Sequence, residues 1–160
     1  MRIAWLTALA VTIHIAETAL PSPIPGVKPG LANIVTVICL IKFDWRTAAW
    51  VAMLRVVVGG LLLGTFLSPT FALSFAGAAA SVAVLGLAQY LPGRGFGPVG
   101  YSLLAAMAHM GAQFWTAYGL FIPHEGLFRL LPILMTAAVF FGIVTGIIAQ
   151  KVLDRLTETQ

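Results

Sequence analysis

Two aspartates, one cysteine and three histidines are all that this 160-residue chain offers of several common metal-binding and catalytic side chains. Asp44 and Asp154 lie far apart at the edges of apolar runs, which excludes an aspartate-rich magnesium site for diphosphate chemistry. His14, His109 and His124 show no metal-ligand spacing, and Cys39 stands alone inside an apolar run. Neither a cysteine-based metal site nor a disulfide framework is available, and Cys39 reads as a buried thiol. No G-x-x-x-x-G-K-S/T loop is present, and the G-x-G-x-x-G at Gly95, Gly97 and Gly100 follows a helical run rather than a strand. No nucleophile–base pair is signalled, so no independent catalysis, metal or cofactor is expected. Charge is scarce as well. With 9% charged and 60% hydrophobic residues and a mean hydropathy of +1.00, the composition excludes an ordinary soluble domain. The net charge of +4 comes from basic residues placed singly at the ends of apolar runs, which fits topology signals and not a nucleic-acid surface.

What is present is a series of apolar runs. They predict an all-α integral membrane protein, one domain over 1–160, built as a compact bundle of six transmembrane helices at about 3–20, 31–42, 46–66, 70–91, 98–121 and 127–152. The first run carries His14 and Glu17 and has no small-x-small cleavage site, so it reads as an uncleaved helix. The second is short against the roughly 20 residues that a span needs. With six spans, Arg2, Lys42, Arg46, Arg94, Lys151 and Arg155 share one side, leaving Lys28 and Arg129 on the other. The positive-inside rule then puts the 42–46 and 91–97 loops and the C-terminus in the cytoplasm. Gly60-x-x-x-Gly64, Gly142-x-x-x-Gly146 and Ala-Gly-Ala-Ala-Ala at 76–80 predict close helix contacts. Trp5, Trp45 and Trp50 fit an interfacial belt, and His124 and Glu125 a solvated turn.

Polar residues inside the spans are costly and mark the candidate site. Arg55 sits near the middle of the third run with no charge within a helical turn. Its guanidinium suits a carboxylate or phosphate ligand, and a structural ion pair with Glu17 is an equal alternative. His14, Glu17 and Thr18 form one stripe of the first helix, and His109 and Gln113 stand one turn apart on the fifth. For His109 or Gln113 alone an interhelical hydrogen bond is sufficient explanation. Residues 21–33, P-S-P-I-P-G-V-K-P-G-L-A-N, combine rigid prolines with glycines and read as an ordered loop: with six spans it is an extracytoplasmic lid that presents Lys28 and Asn33 to this cluster, and with a second helix that does not cross, the charge count equally allows a cytoplasmic place. The candidate ligand-binding residues are therefore Glu17, Lys28, Asn33, Arg55, His109 and Gln113.

Several of these positions resemble a bacterial membrane family known both as Gx transporter and as heptaprenyl diphosphate synthase component I. The likeness rests on Glu17, on P-G-V-K-x-G-L-A-N-I-V-T at 25–36, and on Arg55 followed by Gly59. It continues through F-L-S-P-T-F at 66–71 with Ser74 and Gly77, and A-H-M-G-A-Q at 108–113. The chain is also similar to the substrate-binding S components of energy-coupling factor transporters, and Ala4-x-x-x-Ala8 resembles the pattern by which their first helix docks a coupling subunit. The resemblance implies six spans with both termini inside the bacterial cytoplasmic membrane. It also implies a subunit that binds a small anionic or polar ligand outside and relies on coupling and ATPase partners; a flavin, a vitamin-like anion or a prenyl diphosphate would each suit a cationic, partly apolar pocket. The second expectation is a non-catalytic accessory of polyprenyl diphosphate synthesis, serving a soluble aspartate-rich synthase. A structural or redox-complex subunit without a ligand is the third.

Overall fold

The computed structural model describes residues 2–19, 30–90 and 97–158. They form six α-helices and one short 3₁₀ turn: α1 (Arg2–Ala19), α2 (Ala32–Lys42), α3 (Trp45–Leu62), α4 (Pro69–Ala88), α5 (Pro98–Leu120) and α6 (Leu131–Glu158), with the 3₁₀ turn at Glu125–Arg129. No strand occurs among the described residues. Three helices, α3, α4 and α6, are long and apolar enough to cross a membrane, while the apolar stretches of α1 and α2 are shorter. Apolar side chains such as Leu61, Trp115, Phe140, Ile143 and Ile147 point outward, as lipid-facing surface does. The fold is a helical membrane bundle.

Local sequence sets the helix ends. Asp44 caps α3 by accepting the Thr47 amide at 2.8 Å, and Ser68 caps α4 by accepting that of Phe71 at 3.2 Å, with Pro69 at the first position, where no amide is needed. The third helix ends at Leu62, short of the expected 66. Gly64 has φ +66 and the Thr65 amide reaches back to the Gly60 carbonyl at 2.9 Å, a Schellman stop. Gly64 is thus a helix terminator where an added Cβ would meet nothing within 4 Å, and the expected Gly60–Gly64 packing face is reduced to Gly60. The sixth helix starts at Leu131 rather than 127: the chain turns first through the 3₁₀ segment, which His124 caps, and Pro132 fits only an opening turn. Glu125 belongs to that turn and is exposed.

The short α2 lies at the centre, packed on α1, α3, α5 and α6, while α4 closes the bundle against α3 and α5. At 1.5 Å per residue its 11 residues reach only about 16 Å. The half of the bundle that α2 fills is solid core, made of Ala10, Val35, Cys39, Leu40, Val51, Leu85 and Ala105. Hydrogen bonds join the surrounding helices: Trp45 Nε1 donates to the Val82 carbonyl (2.8 Å), the Ser81 hydroxyl to that of Ala105 (2.8 Å), and Ser102 bonds Thr145 (2.8 Å). Trp45 is therefore tied to α4, whereas Trp5 and Trp50 are exposed. Gly142 and Gly146 let α6 approach α5, since Cβ atoms there would lie 3.1 Å and 2.6 Å from the Cα atoms of Leu103 and Val99. In the half that α2 does not reach, the bundle is hollow.

Candidate functional site

That hollow is a cavity of about 250 Å³ beyond the N-terminus of α2. One wall is polar, with His14 and Glu17 from α1, Asn33 from α2 and Arg55 from α3. The opposite wall is largely apolar, with Leu73 of α4, Met110 of α5 and Phe141 of α6, interrupted by Ser74, His109 and Gln113. A concave, mostly apolar space with a few convergent polar groups is the form that small-molecule sites take.

Arg55 is 5% exposed, and its Nε has no hydrogen-bond partner among the described residues. Glu17, 4% exposed, is the single carboxylate lining the cavity, and its Oε1 accepts the backbone amides of Gly30 and Leu31. Those amides lie just before α2, whose first turn leaves donors unsatisfied, so Glu17 serves as a cap supplied by another helix. This Oε1 is held by the α2 entrance, and Arg55 is the one Lys or Arg side chain among the described residues that lines the cavity. Asn33 is buried beside this cap.

Two histidines enter the site over glycines. A Cβ on Gly59 would stand 2.9 Å from His14 Cδ2, and one on Gly77 would stand 2.7 Å from His109 Nε2. Each imidazole therefore lies against the backbone of a neighbouring helix, in a notch that only glycine leaves open. His109 Nδ1 is buried without a partner among the described residues, which makes it a second polar atom ready for a ligand.

Five of the six candidates read from the sequence, Glu17, Asn33, Arg55, His109 and Gln113, line this one cavity. Lys28 and the remainder of the expected lid at 20–29 lie outside the described residues. Thr18 faces an adjoining space and donates its hydroxyl to the Ile15 carbonyl at 2.6 Å. Ala4 and Ala8 lie away from the cavity, exposed on the outer face of α1. Sequence reasoning missed the apolar wall, Met110 and Phe141, and also Thr145. Thr145 stands beside Gly146, and its place on the α5-facing side was the only available signal.

No curated protein and no solved structure matches the chain. A family model, that of heptaprenyl diphosphate synthase component I, matches residues 6–152. This span takes in every described residue that lines the cavity, and it shows that the chain belongs to the heptaprenyl diphosphate synthase component I family.

Proposed function

We propose that this protein is a non-catalytic membrane component that binds a phosphate-bearing small molecule at Arg55, on behalf of a partner that carries out polyprenyl diphosphate synthesis. The observation that carries this reading is Arg55 itself: a buried guanidinium in a cavity wall, with an unsatisfied Nε and no carboxylate bonded to that atom. Such a charge is expensive to bury; Glu17 offsets it electrostatically, and an anionic ligand would meet the guanidinium atom that is left without a hydrogen bond. Arg55 anchors the anion and His109 and Gln113 bond its remaining oxygens, while Glu17 and Asn33 hold the α2 entrance in place. The family name supports the link to prenyl diphosphates, and with no aspartate-rich magnesium site in the sequence the reading gives the chain-building chemistry to a partner polypeptide. The protein sits in a bacterial cytoplasmic membrane with both termini inside; the excess of Lys and Arg supports a cytoplasmic C-terminus, and six crossings would put the N-terminus on the same side.

Calorimetric titration of the purified protein with inorganic diphosphate tests this. Binding that disappears in Arg55→Gln is expected; binding of equal strength in both proteins would remove Arg55 from the site.

One observation favours a second reading, a transporter substrate-binding subunit. Ala4 and Ala8 are exposed, and Thr12 and Ala16 continue the same row along α1, giving a small-residue face for a coupling helix. Co-purification separates the two: a prenyl synthase supports the first, coupling and ATPase subunits the second.

A further inference from the structure

Gly59 and Gly60 are adjacent near the end of α3, where two poor helix formers in succession call for a reason. A Cβ on Gly59 would meet His14 of α1, and one on Gly60 would stand 2.8 Å from Cδ2 of Phe71 of α4. Both rings fold down onto the α3 backbone, one from each side. With side chains at these two positions the rings would be lifted into the cleft between α1 and α4.

That cleft is open. Both α1 and α4 pack on α3 but not extensively on each other. A second space of about 350 Å³ occupies it, where Val56, Leu63 and Phe71 give apolar surface among the hydroxyls of Thr18, Thr65, Thr70 and Ser74, and it shares His14, Val56, Thr70 and Ser74 with the Arg55 cavity. Phe66 and Phe75 flank Phe71, with ring centroids 4.9 Å and 5.9 Å away, and are 42% and 40% exposed. The route from Arg55 thus runs past a glycine floor to an aromatic rim on the side of the bundle. The Arg55 cavity alone, about 250 Å³, equals roughly eight waters at about 30 Å³ each, enough for a head group but not for a long chain.

We propose that the ligand is a membrane-resident amphiphile whose phosphate head lies at Arg55 and whose apolar chain leaves sideways between α1 and α4, over Gly59 and Gly60. This rests on the anion-binding reading above and adds the class of molecule and its route. Ligand enters from the bilayer, and the chain selects amphiphiles over free phosphates.

The test compares farnesyl diphosphate, inorganic diphosphate and farnesol on the full chain in lipid nanodiscs. Farnesyl diphosphate is expected to bind about tenfold or more tightly than inorganic diphosphate, because burial of its chain adds affinity, and farnesol weakly. Gly60→Ala, which lifts Phe71, and Thr65→Trp, which fills the second space from the turn after α3, should each erase that preference while leaving inorganic diphosphate binding unchanged. If Gly60→Ala fails to fold, Thr65→Trp and Thr18→Trp, on opposite walls, carry the comparison. Equal affinities for the two diphosphates, or a preference that survives in the variants, overturns the lateral route. Diphosphate binding that ignores Arg55→Gln, or no binding of either diphosphate, instead overturns the head site on which it rests.

Discussion

Replacing Arg55 by Met should make the empty protein more stable and blind to its ligand. Arg55 is 5% exposed and its Nε lacks a partner among the described residues, so the folded protein carries the desolvation cost of at least one unsatisfied donor, about 1–3 kcal/mol. An apolar side chain of similar volume recovers that cost when no buried partner is left stranded. Glu17 attracts Arg55 electrostatically, but its hydrogen bonds go to the Gly30 and Leu31 amides and remain in the variant. Arg55→Met is therefore expected to gain about 1–3 kcal/mol. Unfolding of the detergent-solubilised protein, followed by circular dichroism against temperature and denaturant, reads this directly, with diphosphate titration alongside. If Arg55 were instead half of a structural ion pair, its removal would strand a buried carboxylate and cost about 3–5 kcal/mol. A loss of that size would refute the reasoning and make Arg55 a structural residue.

Gly77→Ala should weaken both fold and site. The new Cβ, 2.7 Å from His109 Nε2, forces the imidazole toward the cavity, and an overpacking cost of about 1–3 kcal/mol exceeds or cancels the roughly 1 kcal/mol gained in helix propensity. Thermal unfolding and diphosphate titration check it, and unchanged values would mean that His109 moves freely. Leu67→Gly should stabilise the α3–α4 turn by about 1 kcal/mol, because Leu67 holds φ 62, a region costly for a side chain, while 80% exposed; denaturant melts would show it. The hydrogen bonds from Thr47 hold the Asp44 carboxyl below the usual carboxylate range, so the folded state takes up this proton less readily than the unfolded. The cap's contribution is full above the ordinary value near about 3.9 and fades as pH falls through the lower folded-state value. Asp44→Asn should keep the cap and lose this pH dependence, measured as unfolding midpoints along an acid series.

The sequence shows the polar half of the cavity more readily than the apolar half. Arg55, Glu17, Asn33, His109 and Gln113 stand out because each breaks an apolar run, and burying such groups is costly enough to demand a reason. Met110 and Phe141 break nothing, so no pattern separates a cavity wall from packed core. The shortness of α2 is visible in the sequence, but its consequence is not: a hollow half of the bundle follows only when α2 is placed at the centre of the other helices. Glu17 was legible as a polar residue and as a candidate partner of Arg55. Its actual bonds, to amides 13 and 14 residues further on, depend on where the chain re-enters the bundle. Gly60 and Gly64 share a spacing that suggests helix packing, yet the left-handed φ of Gly64 makes it a stop. The notches at Gly59 and Gly77 are tertiary facts, visible only with the histidines that fill them.

The central claim is that the Arg55 cavity holds an anionic ligand. Native mass spectrometry of gently solubilised protein, wild type beside Arg55→Met, tests it most directly. The account predicts a discrete phosphate-bearing molecule bound one to one in the wild type and lost in the variant, and bulk lipid alone in both would contradict it.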